Sequence, residues 1–458
     1  MLLPRKQPLL TLATVARVLI VTPEPIAVRL AGPAIRACHM ARVLAEHHEV
    51  TLVSTALPPN EQSLSPIDGR SVRGPAAINT RYDAAVVMGN VLVQHPELTE
   101  SSMPLVIDWF DPFHTEALHR LRADHIRRVD LVEGARVTLN EQAHRGDFFL
   151  CSNGAQREHW LGWLAAAGRL NHLAHDADPL FEQLIAIAPF GLGRDASRAG
   201  SPIRSSFDSI GRYDPIVLWA GGMHDWLDPL LVIESVPVML DENPDTRLVF
   251  LAGPHPNTSI ETMGVRGEAI TLARKKRLFG KHVMFVNQWV NYGERLTWLQ
   301  EATVGIVADG AHLESRYSHR TRLLDHLGAG LPTVSTAGDP LSTQLEQAGA
   351  AITCERSIEG VGGAVASIIN DDARLGAMSR AALSLGARMS WEETLAPLVR
   401  WLEDPQLAID RRPGANTGRT DGTATDRIGG RIKMHLDDGG VAQVAKRGLR
   451  AGRRKLGK

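Results

Sequence analysis

Short apolar runs alternate with segments of helical period along most of the chain. Arg17–Val21 is rich in β-formers and ends at Thr22-Pro23, where proline cannot continue a hydrogen-bond ladder. Gly32-Pro33 then opens a helical segment, since proline suits the first turn, and Ile35, Cys38, Ala41 and Leu44 fall on one face. Val50–Val53 supplies the next strand and completes a βαβ unit. Ala84–Met88, Leu105–Asp108 and Phe148–Cys151 are further apolar runs of strand length. Near-continuous apolar strands alternating with helices predict a parallel, doubly wound sheet covered on both faces.

The pattern breaks at a polar, glycine-containing stretch, 193–213, and then restarts. Ile216–Ala220 runs into Gly221-Gly222, and Leu248–Ala252, Val283–Val286, Val304–Val307 and Thr333–Thr336 continue the alternation. Two successive α/β domains, 1–192 and 214–404 joined by the 193–213 linker, account for this better than one giant sheet. Trp391–Glu403 places Leu395, Leu398 and Leu402 at helical spacing, with Pro397 predicting a kink. From 405 the chain turns polar and rich in Gly, Thr, Asp and Arg, so 405–458 reads as a flexible linker and tail. The last stretch, 441–458, carries Lys446, Arg447, Arg450, Arg453, Arg454, Lys455 and Lys458 among scattered apolar residues.

Composition changes this picture little. Fifty Lys and Arg nearly cancel 51 Asp and Glu, leaving a formal charge of -1 and no case for a general nucleic-acid binder. The three cysteines, Cys38, Cys151 and Cys354, are far apart and in no metal-ligand spacing, a reducing-compartment pattern. No run approaches the roughly 18 to 20 apolar residues of a membrane span, and the start lacks a secretory signal. The expectation is a cytoplasmic protein, with membrane contact only at the surface, where the basic 441–458 segment would meet anionic lipid at the inner face of the plasma membrane. The rival reading of that tail is a disordered solubilising segment.

The stretch richest in chemistry is 314–336. Ser318 is a plausible helix N-cap, and the helix should stop near Gly328–Gly330, before the strand at Thr333. Arg316, Arg320 and Arg322 gather cations around a helix N-terminus that already favours phosphate. Arginine suits this task because its planar fork grips phosphate oxygens in pairs. Asp325 sits about two turns along, roughly 10 Å at 1.5 Å per residue, where a carboxylate can accept hydrogen bonds from ribose hydroxyls.

Leu323-Leu-Asp-His-Leu-Gly-Ala-Gly-Leu-Pro-Thr-Val334 resembles the donor-site helix, loop and strand of family-4-like glycosyltransferases of the GT-B fold. Phe285–Tyr292 resembles the segment lining their nucleobase pocket, Gly338-Asp339 fits the pattern after the strand, and Ala31–Ala37 resembles their glycine loop and helix. The resemblance covers about 17–403. It implies an α/β GT-B fold of two Rossmann-like domains facing a cleft. It also implies sugar transfer from a nucleotide-diphosphate donor to a saccharide or lipid-linked acceptor, with retention at the anomeric carbon and a place in cell-surface polysaccharide or glycolipid synthesis. No cofactor beyond the donor and no obligatory metal are expected, because no Asp-X-Asp motif stands at a strand end. Gly32, Gly222, Asp225, Trp289, Arg316, Arg320, Arg322 and Asp325 are the donor candidates, and Arg36 is the acceptor-side candidate.

Several positions depart from that family's pattern. Eight residues before Asp325 stands Tyr317 rather than glutamate, so Glu314 is the nearest substitute for the first acid. The usual Arg and Lys pair after the first strand of the second domain is replaced by Gly221-Gly-Met-His-Asp-Trp-Leu-Asp228. Where many relatives place a histidine near the reaction centre, this chain has Asp108-Trp-Phe-Asp-Pro-Phe-His114, making Asp111 or His114 the candidate. Asp111, His114 and Glu314 are therefore the catalytic candidates. These departures leave two rivals open: a non-catalytic GT-B scaffold, and a sugar-nucleotide epimerase.

Overall fold

The computed structural model describes residues 15–193, 200–260 and 263–417. Two sheets organise them. The first contains β1 (Arg17–Thr22), β2 (Glu49–Ser54), β3 (Gln62–Leu64), β4 (Ser71–Arg73), β5 (Ala84–Met88), β6 (Leu105–Asp108), β7 (Phe148–Cys151) and β8 (Ile185–Ile187). Its order is β3-β4-β2-β1-β5-β6-β7-β8, parallel except where β3 pairs antiparallel with β4. The second contains β9 (Ile216–Ala220), β10 (Arg247–Leu251), β11 (Val283–Val286), β12 (Val304–Val307), β13 (Thr333–Thr336) and β14 (Ala351–Cys354). Its order, β11-β10-β9-β12-β13-β14, is the doubly wound 3-2-1-4-5-6 arrangement. Every long strand named from the sequence is present, within one residue. The short strands β3, β4, β8 and β14 escaped notice because three or four residues at a sheet margin carry no period of their own.

The strand order reverses beside β1 in the first sheet and beside β9 in the second. Such switch points open a crevice beyond the carboxyl ends of the strands, where ligands bind in this architecture. The sequence puts a glycine at each: Gly32 after β1, and Gly221-Gly222 directly after β9.

Three expectations are corrected. Residues 202–206 of the expected linker form a short helix tied to the second domain, with Ile203 and Arg204 N–H groups donating to Glu301 and an Arg204–Glu301 ion pair at 3.1 Å. The terminal helix, expected with the second domain, breaks at Leu395 into 391–394 and 396–402, as Pro397 requires. Its Trp391, Leu395, Leu398 and Leu402 share one buried cluster with Cys38, Met40, Ala41 and Leu44 of the first domain as well as with Leu323, Leu324 and Leu327 of the second. Finally, 405–417 is no loose linker. Asp410 grips Arg169 at 2.7 Å, Arg411 reaches Asp147 at 2.8 Å, and the Ala408 N–H donates to the same Asp147. The chain thus crosses back and stitches its end to the first domain. The basic 441–458 segment lies outside the described residues. Among those residues no helix is long and apolar enough to cross a membrane.

Candidate active site

A cleft of about 470 Å³ lies between the sheets, within the range of a small-molecule site. Its wall is built from segments that follow strand ends: Glu24 and Gly32 after β1, Asp111 after β6, Phe190 after β8, Gly222 after β9, His255 after β10 and Trp289 after β11. The domains touch across it. The Trp289 indole N–H donates to the Leu30 carbonyl at 3.0 Å, the Tyr292 N–H to the Val28 carbonyl at 3.0 Å, and Tyr292 Oη lies 2.9 Å from His39 Nε2.

Two helices bring their N-termini to this wall. Gly32–Leu44 starts with Gly32 and Pro33, and Thr321–Ala329 starts beside Arg320; neither has an acid in its first turn. Their unspent N–H groups and positive dipole ends therefore face the cleft without a protein carboxylate to satisfy them. A methyl group at Gly32 would meet nothing within 4 Å, so the backbone there is open to close approach. Gly221, at φ +99°, takes a conformation that other residues adopt only under strain.

Arg322 is the focus of the charge. It is 9% exposed, its Nη2 donates to the Gly222 carbonyl at 2.9 Å, and its Cζ lies 5.0 Å from the Trp219 ring centre. Its Nη1 is buried and has no hydrogen-bond partner among the described residues. Burial, then the neighbouring Arg320 charge, lower its pKa to about 10, so it stays cationic at neutral pH while short of a counter-ion. An incompletely paired buried cation costs stability, and an anionic ligand would relieve it.

Arg320 differs. Its Nε donates to Asp309 at 2.6 Å, and its Nη atoms form a double contact with Glu314 at 2.7 and 2.6 Å. Burial pulls its pKa down, but Asp309 and Glu314 outweigh that and raise it. Arg320 is thus already neutralised, and Glu314, fully buried, is its clamp at the cleft floor. Arg316 is exposed and away from the cleft wall. Of the three arginines expected to gather phosphate, Arg320 and Arg322 line the cleft, and of these only Arg322 keeps a buried nitrogen with no partner among the described residues. The cause is local: the helix starts at Thr321, not after Ser318, and Ser318 instead closes the preceding short helix, donating its hydroxyl to Asp339 at 2.7 Å.

Asp325 lines the cleft one turn beyond Arg322 and holds an ion pair with Arg295 at 3.2 Å. Arg295 in turn lies 4.9 Å from the Tyr292 ring centre. Arg295, Tyr292 and His39 were not singled out from the sequence, since nothing in their spacing separates them from helix-surface or core residues.

On the first domain's side, Asp111 and Glu116 both line the cleft. Burial, with the Glu314 charge adding to it, lifts Asp111 to about 6; burial and the Asp111 charge lift Glu116 well above the usual range. A carboxyl whose folded pKa exceeds its unfolded value of 3.8 stabilises below that value and loses the contribution as pH rises toward 6. Asp111→Asn should therefore melt higher than the parent at pH 7 and no higher at pH 4; equal gains at both would remove this account of the pair. Stability given up at a cleft carboxylate is usual for a working site.

Three further candidates lie elsewhere. His114 stacks on His159 with ring centres 4.9 Å apart, among Trp160 and Trp163 and off the cleft wall; burial and the His159 charge lower it to about 4. Asp225 accepts the Val265 N–H at 3.2 Å, capping the helix Gly264–Lys275 from a neighbouring loop, and does not line the cleft. Arg36, expected toward the acceptor, is fully buried beneath the cleft, held by Asp108 at 2.6 and 2.8 Å and by the Ala188 carbonyl at 2.8 Å. A side chain's direction is set by the neighbouring layer, which spacing along the chain does not reveal. The structure also adds His224 and His255 to the wall, with His224 stacked on Trp226 at 4.6 Å.

No known family pattern matches this chain, and no curated protein matches it. Solved structures do. Sucrose-phosphate synthase from Thermosynechococcus elongatus superposes with TM-score 0.62 and 14% identity over 84% of this chain and 98% of that one. A UDP-forming α,α-trehalose-phosphate synthase from Burkholderia xenovorans gives 0.59 and 12% over 86% and 99%. An Anabaena protein in complex with UDP-glucose gives 0.56 and 10% over 84% and 98%. These likenesses define the class: the chain has the GT-B fold of glycosyltransferases.

Proposed function

We propose that this protein transfers a sugar from a nucleotide-diphosphate donor to an acceptor hydroxyl in the interdomain cleft. The observation that carries the reading is Arg322, a buried cation short of a partner, set against Gly222 beside a helix N-terminus that faces the cleft. A diphosphate would supply the missing anion, and the same groups would stabilise the charge that develops on it as the glycosidic bond breaks. The diphosphate needs no metal on this reading. Asp325 would accept hydrogen bonds from the ribose, the Asn287–Trp289 segment would flank the base, and the first domain would present the acceptor across the Asp111 and Glu116 pair. Because the similar trehalose-phosphate synthase is UDP-forming and the Anabaena protein is in complex with UDP-glucose, a uridine diphosphate sugar is the donor to try first. Retention at the anomeric carbon is part of the same proposal, and proton NMR of the first-formed product reads it directly. A saccharide acceptor in surface polysaccharide or glycolipid synthesis completes the proposal.

The test is a thermal-shift screen of the protein against UDP, GDP, dTDP, ADP and their sugar conjugates. A ligand that binds only the folded state raises its melting temperature by mass action. Asp325→Ala should weaken binding of the active nucleotide by about tenfold or more, the worth of hydrogen bonds to a charged group. No shift with any nucleotide in well-folded protein would transfer the assignment to a non-catalytic GT-B scaffold, and unchanged affinity in Asp325→Ala would remove the ribose role.

A further inference from the structure

The segment 118–129 carries apolar side chains that are left exposed among the described residues. Leu118 is 46% exposed, Ile126 76% and Val129 51%. The reason is geometric. The helix His125–Arg145 packs its far half on the sheet through Ala135, Thr138, Leu139 and Gln142, while its first ten residues contribute no fully buried side chain. Asp124 caps it, accepting the Arg127 N–H at 3.1 Å, so this projecting end is a defined helix start rather than a frayed one.

Charge surrounds these apolar residues. Arg120, Arg122, Arg127 and Arg128 fall within 118–129, against the single acid Asp124, which is spent on the cap. Arg128 reaches back to the Leu118 carbonyl and so ties the preceding loop to the helix as one surface. The next acid to follow Asp130 on the helix, Glu133, is paired with Arg136. The patch also adjoins the cleft: Arg120 lines the wall, and the His119 ring lies 4.0 Å from that of His312 of the second domain.

We infer that the 118–129 tip is a docking surface for an anionic lipid bilayer. Exposed aliphatic side chains ringed by arginines match a headgroup layer, where the chains enter the acyl boundary and the guanidinium groups meet phosphate. A protein partner of ordinary affinity would need far more than three aliphatic side chains at its centre. Docked in this way, the cleft mouth faces the membrane, within reach of an acceptor that is itself anchored there. The surface is separate from the basic 441–458 segment and from the donor site, so its test does not depend on either.

The experiment is co-sedimentation of the full chain with vesicles of phosphatidylcholine alone and of equimolar phosphatidylcholine and phosphatidylglycerol. Binding to the anionic vesicles only is expected, with partition falling about tenfold in each of two double variants of exposed residues, Ile126→Asp/Val129→Asp and Arg122→Glu/Arg127→Glu. All four positions lie toward solvent, so the melting temperature and any nucleotide-induced shift should match the parent and exclude misfolding as the cause. Parent-like binding by both variants would overturn the proposal, leaving another surface responsible. Absence of parent binding would overturn it too. So would a parent dimer in light scattering that the aspartate variant dissolves, since the patch would then meet a second copy of the chain.

Discussion

Arg322→Ala should lower kcat/KM for sugar transfer by about 10²- to 10³-fold, the range for losing one preorganised charge at a developing anion. The same change should erase the melting shift given by the nucleotide diphosphate. It should not destabilise the empty protein, because the guanidinium is buried with one nitrogen unmatched, so that its removal takes away a desolvation cost as well as a contact. That combination distinguishes a ligand-binding arginine from a structural one. Arg322→Lys keeps the charge but loses the planar fork and the contact with the Trp219 ring, and should recover only part of the activity. Full activity in Arg322→Ala, measured by nucleotide release, would sink the donor assignment.

Arg36→Met should do the reverse, costing roughly 3–5 kcal/mol of stability, as expected when one partner of a buried ion pair is removed. Arg36 and Asp108 are both inaccessible, joined by two hydrogen bonds, with the guanidinium 5.5 and 5.1 Å from the Phe110 and Phe190 ring centres. Without the arginine, the Asp108 charge is left in a medium that cannot solvate it. Adding Asp108→Asn should restore much of the loss, since replacing both members of such a pair is often close to neutral. Urea denaturation measures both. A variant with normal stability and a raised KM for the acceptor would instead place Arg36 in contact with substrate, as its position after the Gly32 loop suggested.

These two arginines show how far the sequence reaches. Both stand near the N-termini of helices that open on the cleft, and along the chain nothing separates them. Arg36 sits five residues into its helix, pointing down onto the carboxylate at the end of β6. Arg322 is the second residue of its helix and turns toward β9 and the cleft. Arg320, two positions earlier, meets Asp309 after β12 and Glu314 from the short helix before it, and is spent on them. The missing first acid of the familiar pattern has an explanation in this arrangement. Tyr317 faces the other way, onto His159 at 4.5 Å between ring centres, while Glu314 reaches the cleft floor from three residues earlier.

The sequence alone determined the architecture, because burial on both faces forces parallel strands into unbroken apolar runs, and these survive without any knowledge of their neighbours. It also marked the second domain's side of the cleft, because a backbone turn at positive φ favours glycine, as at Gly221. It could not decide which charged residues face that cleft. Whether a guanidinium is free or spent depends on carboxylates brought to it from distant segments, such as Asp108 to Arg36 and Asp309 to Arg320. The same holds for the chain end, where Asp410 and Arg411 find Arg169 and Asp147 more than two hundred residues away. Local period sets the elements and glycine marks the site, but long-range charge pairing, settled only when the layers assemble, selects the residues left over for chemistry.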